Sequence, residues 1–426
     1  MSLSKTNVDY EQVKKDRISK TFIWACFFLY ILMMGSKNSY TAEIVEIMTV
    51  FDTTKARASL AMTYYFVTYA VAQIILTFIM GKINLRIYLG VTAGVSAILT
   101  ILIGYMNTIE PVYALCAVNG IMQAGIYSGC MQALSRRLEK RLLPLANKIM
   151  GLGTSVASLI SYAVPALFVG LGRWDLPFKV LGILFLLSAI FFIWAYTKIK
   201  KYPPVISTEN GKTKMLTNEK AFIELPSNGK KVMFFIFMAC LTLIGNTTYY
   251  STFNWIPNLL YEEFSMPKSF SIFLTLLFPV VNAFVSIGVV NLCEKFVNIL
   301  AVSFSLMIIS LCFFLPMTFV HNVNIVLTLV CMVVFIALGS GARQVFSSIL
   351  AFKMRTQISS GGYLAFTNAF AALAAGVMPT LSATIIDSLG YQVLFIIVFA
   401  VGLLYATIVG VWSLMHTGKI ARHKNK

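Results

Sequence analysis

About twelve long apolar segments run through this chain, and they fall into two sets of six. Several positions of the first set recur in the second, 210 or 214 residues later: Lys20 and Lys230, Gly35 and Gly245, Tyr40 and Tyr250, Gly125 and Gly339, Pro165 and Pro379. One shared glycine or proline means little in apolar sequence, but a near-constant offset over most of each half indicates duplication. The chain is therefore expected to fold as two similar helical halves.

Composition indicates that this chain folds in lipid. Of its 426 residues, 58% are hydrophobic and 12% are charged, whereas soluble domains average roughly 25% charged residues. The apolar segments reach the length of about 20 residues that a membrane-spanning helix needs. They also lack the alternating polarity of barrel strands. The sequence predicts an all-α polytopic membrane protein with twelve transmembrane helices.

The polar connections between the apolar segments set the domain boundaries. We place the spans at residues 21–49, 58–80, 87–106, 110–134, 149–170, 180–197, 232–260, 269–291, 297–318, 323–350, 361–386 and 390–415. The expected order is a cytoplasmic tail (1–20), an N-terminal six-helix bundle (21–198), a cytoplasmic linker (199–230), a C-terminal six-helix bundle (231–415) and a second cytoplasmic tail (416–426). Pro203, Pro204 and Gly211 are typical of such a solvated linker.

The distribution of Lys and Arg predicts the orientation. With both termini in the cytoplasm, 27 of the 34 Lys and Arg residues lie in cytoplasmic loops and tails. This asymmetry agrees with the positive-inside rule, so we expect a multi-pass protein of the cytoplasmic membrane. The net charge of +18 is then mainly an orientation signal. It does not indicate nucleic-acid binding, because the basic residues are scattered and form no single patch.

The sequence offers little for other function classes. No glycine-rich phosphate-binding loop follows a strand-like segment, which argues against an ATP-driven pump. The seven cysteines are widely spaced and form no metal-binding pattern. The three histidines, His321, His416 and His423, stand in no plausible catalytic group. We expect no enzymatic activity, no cofactor and no bound metal.

The loop between the second and third spans carries part of a known motif. The stretch from Gly81 to Leu89 reads GKINLRIYL and keeps the first glycine and first arginine of a G-x-x-x-D-R-x-G-R pattern. Its acidic residue, second glycine and second arginine are replaced by Leu85, Tyr88 and Leu89. Together with six plus six helices and a basic central loop, this resembles the major facilitator superfamily over residues 20–415. The resemblance implies that superfamily's fold, alternating access and a working monomer.

Two shorter elements resemble the organic-anion branch of that superfamily, which includes the organophosphate–phosphate exchangers. Residues 254–257, NWIP, are similar to an Asp-Trp-x-Pro element, and Lys37-Asn38 resembles an Arg-Lys-Asn element. Those exchangers hold phosphate with one arginine in each of these two spans, but Ser36 and Tyr249 stand at the matching positions here. The phosphate clamp therefore does not carry over, and the resemblance implies only an anionic substrate class.

Lys37 is predicted to lie deep in the membrane. It stands about 12 residues before the end of its span, roughly 18 Å at 1.5 Å per residue, which is too far for its stem to reach water. A charge at this depth costs at least about 2.5–3.5 kcal/mol. Glu43 and Glu46 do not stand at the three- or four-residue spacing that lets helix neighbours meet. Lys37 therefore contacts substrate or a coupling ion, or it pairs with a carboxylate on another helix.

Arg343 is the second deep cation, and its counterpart in the first half is Gly129. Its planar guanidinium suits bidentate recognition of a carboxylate or phosphate. The alternative is a gate contact near the cytoplasmic end of its span. No equally deep acidic residue accompanies the two cations. A pocket holding both would attract anions, more strongly in a medium of low dielectric constant than in water.

Other polar side chains in the spans could line such a pocket. The predicted substrate-binding residues besides the two cations are Tyr40, Tyr65, Tyr69, Gln123, Asn246, Tyr249, Tyr250 and Asn368. Each tyrosine could equally serve packing or the membrane-interface belt. Asn119, Gln123 and Tyr127 share a helix face, and amides facing lipid are costly. Glu43 and Glu46 are the candidate proton-coupling residues, because desolvation favours a protonated carboxyl group; the alternative is a solvated rim.

We hypothesise a secondary active transporter that moves a small organic anion: a carboxylate, a sugar acid or a phosphorylated metabolite. Repeated halves around a midplane site are common in such transporters, and either proton coupling or anion exchange fits. One rival is an exporter of amphipathic drugs or metabolites with the same fold. Another is a non-transporting membrane receptor or scaffold, which would need no deep charges.

Overall fold

The computed structural model describes residues 2–53, 55–169, 173–204, 206–209, 212–215, 228–253, 255–266, 274–275, 277–296, 298–355 and 357–424. Residues 170, 254, 269–273, 276 and 297, which belong to the predicted spans 149–170, 232–260, 269–291 and 297–318, lie outside the described residues. Most of the described chain is helical.

The helices of the first half and the linker strands run in this order: α1 (Ser2–Ala42), α2 (Ile44–Val50), α3 (Lys55–Ile79), α4 (Leu85–Ile103), α5 (Ile109–Gln123), α6 (Ile126–Arg137), a 3-10 turn (Lys140–Leu142), α7 (Leu143–Val169), α8 (Asp175–Ile199), β1 (Ile206–Glu209) and β2 (Lys212–Met215). The second half contains α9 (Asn228–Phe253), α10 (Ile256–Phe264), α11 (Leu277–Lys295), α12 (Ile299–Phe314), α13 (Met317–Val320), α14 (Ile325–Gln344), a π-helical turn (Val345–Ile349), α15 (Leu350–Lys353) and α16 (Ser360–Lys424).

Eleven helices in the described part of the chain are long and apolar enough to cross a membrane, and they match eleven of the predicted spans. The remaining span, 110–134, is not one uninterrupted helix as expected, because α5 and α6 meet at Ala124 and Gly125. A side chain on Gly125 would overlap the hydroxyl of Tyr88. The division therefore falls where the backbone of the fourth span lies directly against α4. This is an all-α polytopic membrane protein.

The linker contains a short β-hairpin that the sequence did not predict. β1 and β2 pair in antiparallel register, with Ile206 opposite Met215 and Glu209 opposite Lys212. At the other end of the chain, α16 covers the last two predicted spans and is interrupted at Gly390. The φ of Gly390 is 81°, in the left-handed region that favours glycine.

Helix α4 shows how the chain distributes its side chains between lipid and interior. Its buried residues are Leu85, Leu89, Thr92, Ala93, Ser96, Ala97, Thr100 and Ile103. Its exposed large side chains are Ile87, Val91, Val95, Ile98 and Leu102. Every large side chain that α4 exposes is thus aliphatic, whereas Ser96 and Thr100 are buried. This is the reverse of a soluble amphipathic helix, because hydrocarbon offers polar groups no hydrogen bonds.

Helices α3 and α5 pack closely, and Gly120 makes this possible. A Cβ atom on Gly120 would overlap the carbonyl oxygen of Tyr65 and the hydroxyl of Thr68. The Thr68 hydroxyl also donates a hydrogen bond to the carbonyl oxygen of Ala117, 2.7 Å away. Small residues at such crossings let helix backbones approach each other in membranes.

Ion pairs link the N-terminal part of α1, at Lys15 and Asp16, to the connection between α6 and α7. The predicted tail at residues 1–20 continues the first span as one helix from Ser2. The ammonium of Lys15 lies 2.5 Å from a carboxylate oxygen of Glu139. Arg141 donates to Glu139 at 2.9 Å and also to Asp16. These donors lower the pKa of Glu139 and hold the start of α1 in place.

The chain folds as two compact units. Unit 1 comprises Met1–Glu224 and Ala351–Ala369, and unit 2 comprises Leu225–Leu350 and Phe370–Lys426. A short stretch of the second half, residues 351–369, thus packs within unit 1.

Gln132 of α6 binds the start of α16 inside unit 1. Its side-chain oxygen accepts hydrogen bonds from the hydroxyl of Ser360 at 2.9 Å and from the amide of Gly361 at 2.5 Å. The first amides of any helix lack partners within the helix, so Gln132 satisfies one of them. Gly361 fits because a Cβ atom there would lie 2.6 Å from the Cβ of Gln132.

Arg355 caps the C-terminal end of α6. Its guanidinium is buried and donates to the carbonyl oxygens of Ser135 at 2.8 Å and Leu138 at 3.1 Å. The last carbonyls of a helix have no partner within it and carry partial negative charge. A buried cation is therefore well placed there, and it ties residues 351–369 to α6.

Replacing Gly120 with alanine tests the close α3–α5 packing. We expect Gly120→Ala to lower the thermal unfolding midpoint of detergent-purified protein, because overpacking typically costs about 1–3 kcal/mol. Gly94→Ala is the control, since a Cβ atom on Gly94 meets no heavy atom within 4 Å. It should leave the midpoint unchanged or raise it, because alanine is favoured over glycine in helices by up to about 1 kcal/mol. Equal midpoints for the two variants would contradict the packing assignment.

Candidate functional site

Lys37 of α1 faces a group of aromatic rings on α3. Its ammonium nitrogen lies 6.0 Å from the ring centroid of Tyr65, 5.5 Å from that of Phe66 and 6.0 Å from that of Tyr69. Cations are attracted to ring faces within about 6 Å. The sequence analysis named Tyr65 and Tyr69 among the possible binding residues, and α3 presents both because they stand one helical turn apart. Phe66 was not predicted.

Lys37 forms no ion pair within the described residues, which include Glu43 and Glu46. Cation–π contacts are worth about 0.5–1 kcal/mol each at exposed sites and about 2 when desolvated. Burying the charge costs at least about 2.5–3.5 kcal/mol. The rings therefore offset part of that cost, and Lys37 remains able to bind an anion.

Four polar side chains of the first half, including that of Tyr65, form hydrogen bonds with one another. The hydroxyl of Tyr65 donates to the side-chain oxygen of Gln123 at 2.7 Å. The amide nitrogen of Gln123 donates to the hydroxyl of Ser96 at 2.9 Å and to the side-chain oxygen of Asn119 at 3.2 Å. All four side chains are buried, and Gln123 has no exposed surface. Their hydrogen bonds are largely used within the protein, which favours a structural role for Gln123.

Tyr40 packs in the apolar cluster that also contains Tyr65. Its hydroxyl donates to the carbonyl oxygen of Ala58 at 3.0 Å, and its ring packs edge-on against Phe178 at 6.3 Å. Only 3% of its surface is exposed. The structure thus places this predicted binding residue in an apolar cluster, where packing explains it.

Glu43 stands at the junction of α1 and α2, between the candidate spans Glu11–Tyr40 and Leu60–Ile79. Its side chain has no exposed surface, and neither carboxyl oxygen has a hydrogen-bond partner within the described residues. Glu46 is half-buried. Burying an ionised carboxylate without partners is very costly, so Glu43 is suited to carry a proton. The two candidate coupling residues therefore differ in their surroundings.

In unit 2, Arg343 of α14 stacks on a tyrosine of α9. Its guanidinium carbon lies 4.5 Å from the ring centroid of Tyr249, and its Nη1 donates to the carbonyl oxygen of Gly245 at 3.0 Å. A Cβ atom on Gly245 would lie 3.1 Å from the Cγ of Arg343. Glycine thus lets α9 lie against the arginine side chain.

The ring of Tyr249 contacts a guanidinium group that comes from another span. Tyr249 stands where the exchangers that the sequence resembles carry an arginine, and here Arg343 brings a guanidinium to its ring from another span. Tyr249 also stacks on Phe253, with centroids 5.1 Å apart, and meets Tyr250 edge-on at 5.1 Å. The structure therefore groups two predicted residues, Tyr249 and Tyr250, with the cation.

The two predicted asparagines of the second half lie in different units. Asn246 belongs to unit 2 and donates from its amide to the carbonyl oxygen of Thr242 at 2.8 Å. Asn368 is half-buried on α16, in the stretch that packs with unit 1. Asn254 of the NWIP element lies outside the described residues. These placements leave the roles of Asn246 and Asn368 in binding as predictions.

A local feature beside Arg343 was missed by the sequence analysis. The helix continues past Gln344 as a π-helical turn over Val345–Ile349. Single π-helical turns inside α-helices occur often at functional sites. Neither glycine nor proline marks this turn in the sequence, so no local signal could have predicted it.

Comparison with known proteins agrees with this architecture. The family model described as Major Facilitator Superfamily matches residues 24–358, well over half of the chain. The chain belongs to the major facilitator superfamily. Its members are transporters, so this protein is a multi-pass membrane protein of a transporter superfamily. No curated protein sequence matches the chain.

Several solved superfamily structures share the fold. A bacterial homologue of the iron transporter ferroportin, in an outward-facing state, has a TM-score of 0.68 at 11% identity, covering 93% of this chain and 99% of its own. The human organic anion transporter MFSD10 (TETRAN) gives 0.64 at 11%, covering 92% and 99%. The proton:xylose symporter XylE, bound to 6-bromo-6-deoxy-D-glucose, gives 0.67 at 12%, covering 94% and 96%. At such low identity these likenesses establish the fold and leave the substrate open.

Replacing Gln123 separates a structural role from a binding role. We expect Gln123→Leu to lower the thermal midpoint, because leaving the buried Tyr65 and Ser96 hydroxyls short of partners costs about 1–3 kcal/mol. Gln12→Leu is the control, since Gln12 is exposed and bonds only the nearby Asp16 within the described residues. A Gln123→Leu protein with normal stability but lost transport would instead identify Gln123 as a binding residue.

Proposed function

We propose that this superfamily member is a secondary active transporter for a small organic anion. The candidate substrates are carboxylates, sugar acids and phosphorylated metabolites. It works as a monomer in the cytoplasmic membrane, with both termini in the cytoplasm, and it moves its substrate by alternating access. Transport is coupled to protons or to exchange for another anion.

One observation carries this proposal: each unit holds a deep cation without an ion pair among the described residues. Lys37 rests against rings of α3, and Arg343 rests on Tyr249. A structural ion pair would explain either residue without any substrate, and the absence of one from the described residues removes that explanation there. Deep charges in membrane proteins usually mark substrate or ion pathways.

The chemistry of the two side chains supports an anion over other substrates. Two positive charges in a medium of low dielectric constant attract anions and repel cations. Lysine offers a compact charge with three donors, whereas arginine offers a planar fork that matches a carboxylate. Within the described residues, Nη1 is the one nitrogen of Arg343 that donates a hydrogen bond to protein. The other nitrogens are candidates to donate to the substrate.

Similarity of fold does not choose the substrate. The neighbours described above include an organic anion transporter, a xylose symporter and a homologue of an iron transporter. One fold therefore serves anions, neutral sugars and metal ions, as expected where function depends on the site and not on the fold. The organic anion transporter is compatible with the proposal, and the two cations are its basis.

Binding of an anion also offers a way to link occupancy to the conformational switch. A ligand shifts an equilibrium only by its differential affinity for the two states. An anion that binds one of these states more tightly would shift the protein toward that state.

Loss of either cation should weaken substrate binding and reduce uptake without unfolding the protein. Charge-assisted hydrogen bonds contribute about 1.5–3 kcal/mol, so Lys37→Ala and Arg343→Ala should each weaken substrate affinity by about 10- to 100-fold. The measurement is uptake of carboxylates, sugar acids and sugar phosphates into proteoliposomes under imposed ion gradients. Lys82→Ala is the control, because Lys82 is an exposed cation outside both ring groups.

Stability gives a second reading of the same variants. Replacing Lys37, which has no carboxylate partner within the described residues, should leave the thermal midpoint unchanged or raise it. Breaking a buried ion pair would instead lower the free energy of unfolding by about 3–5 kcal/mol. Unchanged uptake in both variants would refute a role of the two cations in anion binding, whereas no uptake of any anion by the unmodified protein would favour a receptor or scaffold. Uptake of hydrophobic cations alone would favour the rival exporter.

Glu43 is the better candidate for proton coupling. Its buried carboxyl group has no partner within the described residues, and its acidic neighbours are Glu46 and Asp175. Asp175 is already held by Arg173 at 2.9 Å and by Lys179 at 2.7 Å. Glu43 could therefore gain and release a proton without breaking an ion pair within the described residues, whereas protonating Asp175 would break two.

Neutralising Glu43 should separate coupling from exchange. Glu43→Gln mimics the protonated side chain, so uptake driven by a pH gradient should fall to the level seen without a gradient, while exchange of labelled for unlabelled substrate persists. Glu46→Gln is the matched control and should retain gradient-driven uptake. Accumulation by Glu43→Gln equal to that of the unmodified protein would rule out Glu43 as the coupling site.

A further inference from the structure

We propose that the transported anion is an aromatic carboxylate, with a flat apolar body and few hydroxyl groups. This inference deepens the proposed function and depends on it. It follows from the side chains that surround each cation and from the hydrogen bonds that are already used around Lys37.

Rings surround the cation of unit 1. A carboxylate bound to the ammonium of Lys37 would lie about 2.8 Å from that nitrogen. The ring centroids of Phe66 and Tyr69 lie 5.5 and 6.0 Å from the same nitrogen, and both side chains are half-buried. The atoms next to the carboxylate would therefore come within van der Waals reach of these rings. Aromatic rings prefer offset or edge-on contact with other rings.

Unit 2 repeats this chemistry with different residues. The guanidinium of Arg343 lies over Tyr249 at 4.5 Å, and Tyr249 stacks on Phe253 with an interplanar angle of 13°. The cation and rings here come from α14 and α9, whereas unit 1 uses α1 and α3. The pairing of a cation with aromatic rings therefore arises twice but on different spans: the first span carries the cation of the first half, whereas its counterpart in the repeat, the seventh span, carries the rings of the second half.

The hydrogen-bonding groups near Lys37 argue against a polyhydroxylated body. Tyr65, Gln123, Ser96 and Asn119 bond one another. In unit 2, Asn246 bonds the carbonyl oxygen of Thr242. A sugar acid would bring several hydroxyl groups to this region. Each hydroxyl that loses water without gaining a partner weakens binding by roughly tenfold.

The ring contacts and the occupied hydrogen-bonding groups favour the same kind of substrate. Ring contacts add about a two- to tenfold preference for an aromatic body over an aliphatic one of equal size. Unmet hydroxyl groups penalise sugar acids and sugar phosphates by a larger factor. The site should therefore rank aromatic acids first, saturated cyclic acids second and polyhydroxylated anions last.

The test uses purified protein in proteoliposomes and a matched set of anions. Labelled benzoate is the transported probe, and phenylacetate, cyclohexanecarboxylate, gluconate and glucose 6-phosphate are competitors. We expect phenylacetate to compete at least tenfold better than gluconate and glucose 6-phosphate, and several-fold better than cyclohexanecarboxylate. Uptake of labelled gluconate is measured in parallel, so that a sugar-acid transporter is detected directly.

Variants of the rings provide the decisive comparison. Phe66→Leu keeps an apolar side chain but removes the ring, so it should reduce the preference for phenylacetate over cyclohexanecarboxylate while uptake continues. Phe78→Leu is the matched control on the same helix, because Phe78 is 76% exposed and lies outside the Lys37 group. Tyr249→Leu tests the second group in the same way.

The possible failures are distinguishable. Uptake of gluconate or glucose 6-phosphate that depends on Lys37, without competition by phenylacetate, would overturn the aromatic substrate and leave the anion proposal intact. Equal competition by cyclohexanecarboxylate and phenylacetate, unchanged in Phe66→Leu, would also overturn it. If none of these anions is transported or competes, and only hydrophobic cations move, both proposals are wrong.

Discussion

Hydrocarbon offers no hydrogen bonds, and this constraint shapes the polar contacts within the membrane-spanning helices. On α4, the polar side chains turn inward and the exposed large side chains are aliphatic. Ser96 then joins Asn119, Gln123 and Tyr65 in one buried network, because an unmatched amide or hydroxyl would be costly there. Lys37 stands out against this background, because it has rings around it and no carboxylate within the described residues.

The two halves share a pattern but have diverged at the positions that matter. Gly35 and Gly245 correspond in the repeat, and each allows close packing, yet Gly35 meets Ile160 whereas Gly245 meets Arg343. The cation of the first half lies on the first span, and that of the second half lies on the tenth. The two halves thus share the positions of several glycines and prolines, while single residues place charge on different helices.

The loop motif of the superfamily lacks its acidic residue here. Gln132 and Arg355 make the hydrogen bonds that join α6 to residues 351–369. Leu85 replaces the acidic residue of the motif. Gln132 instead accepts hydrogen bonds at the start of α16, and Arg355 caps the end of α6 through two carbonyl oxygens. These contacts use side-chain amide, hydroxyl and backbone groups with one arginine, so within the described residues they do not depend on a carboxylate.

Hydrophobic length by itself determined the class of this protein, because a run of about 20 apolar residues has few other stable environments. It also revealed Lys37 and Arg343, since a lone charge in such a run is visible without a structure. Sequence could not show that Tyr40 packs in an apolar cluster or that Tyr249 lies under Arg343. Such contacts join residues distant in the chain, and only the packing of whole helices decides which side chains meet.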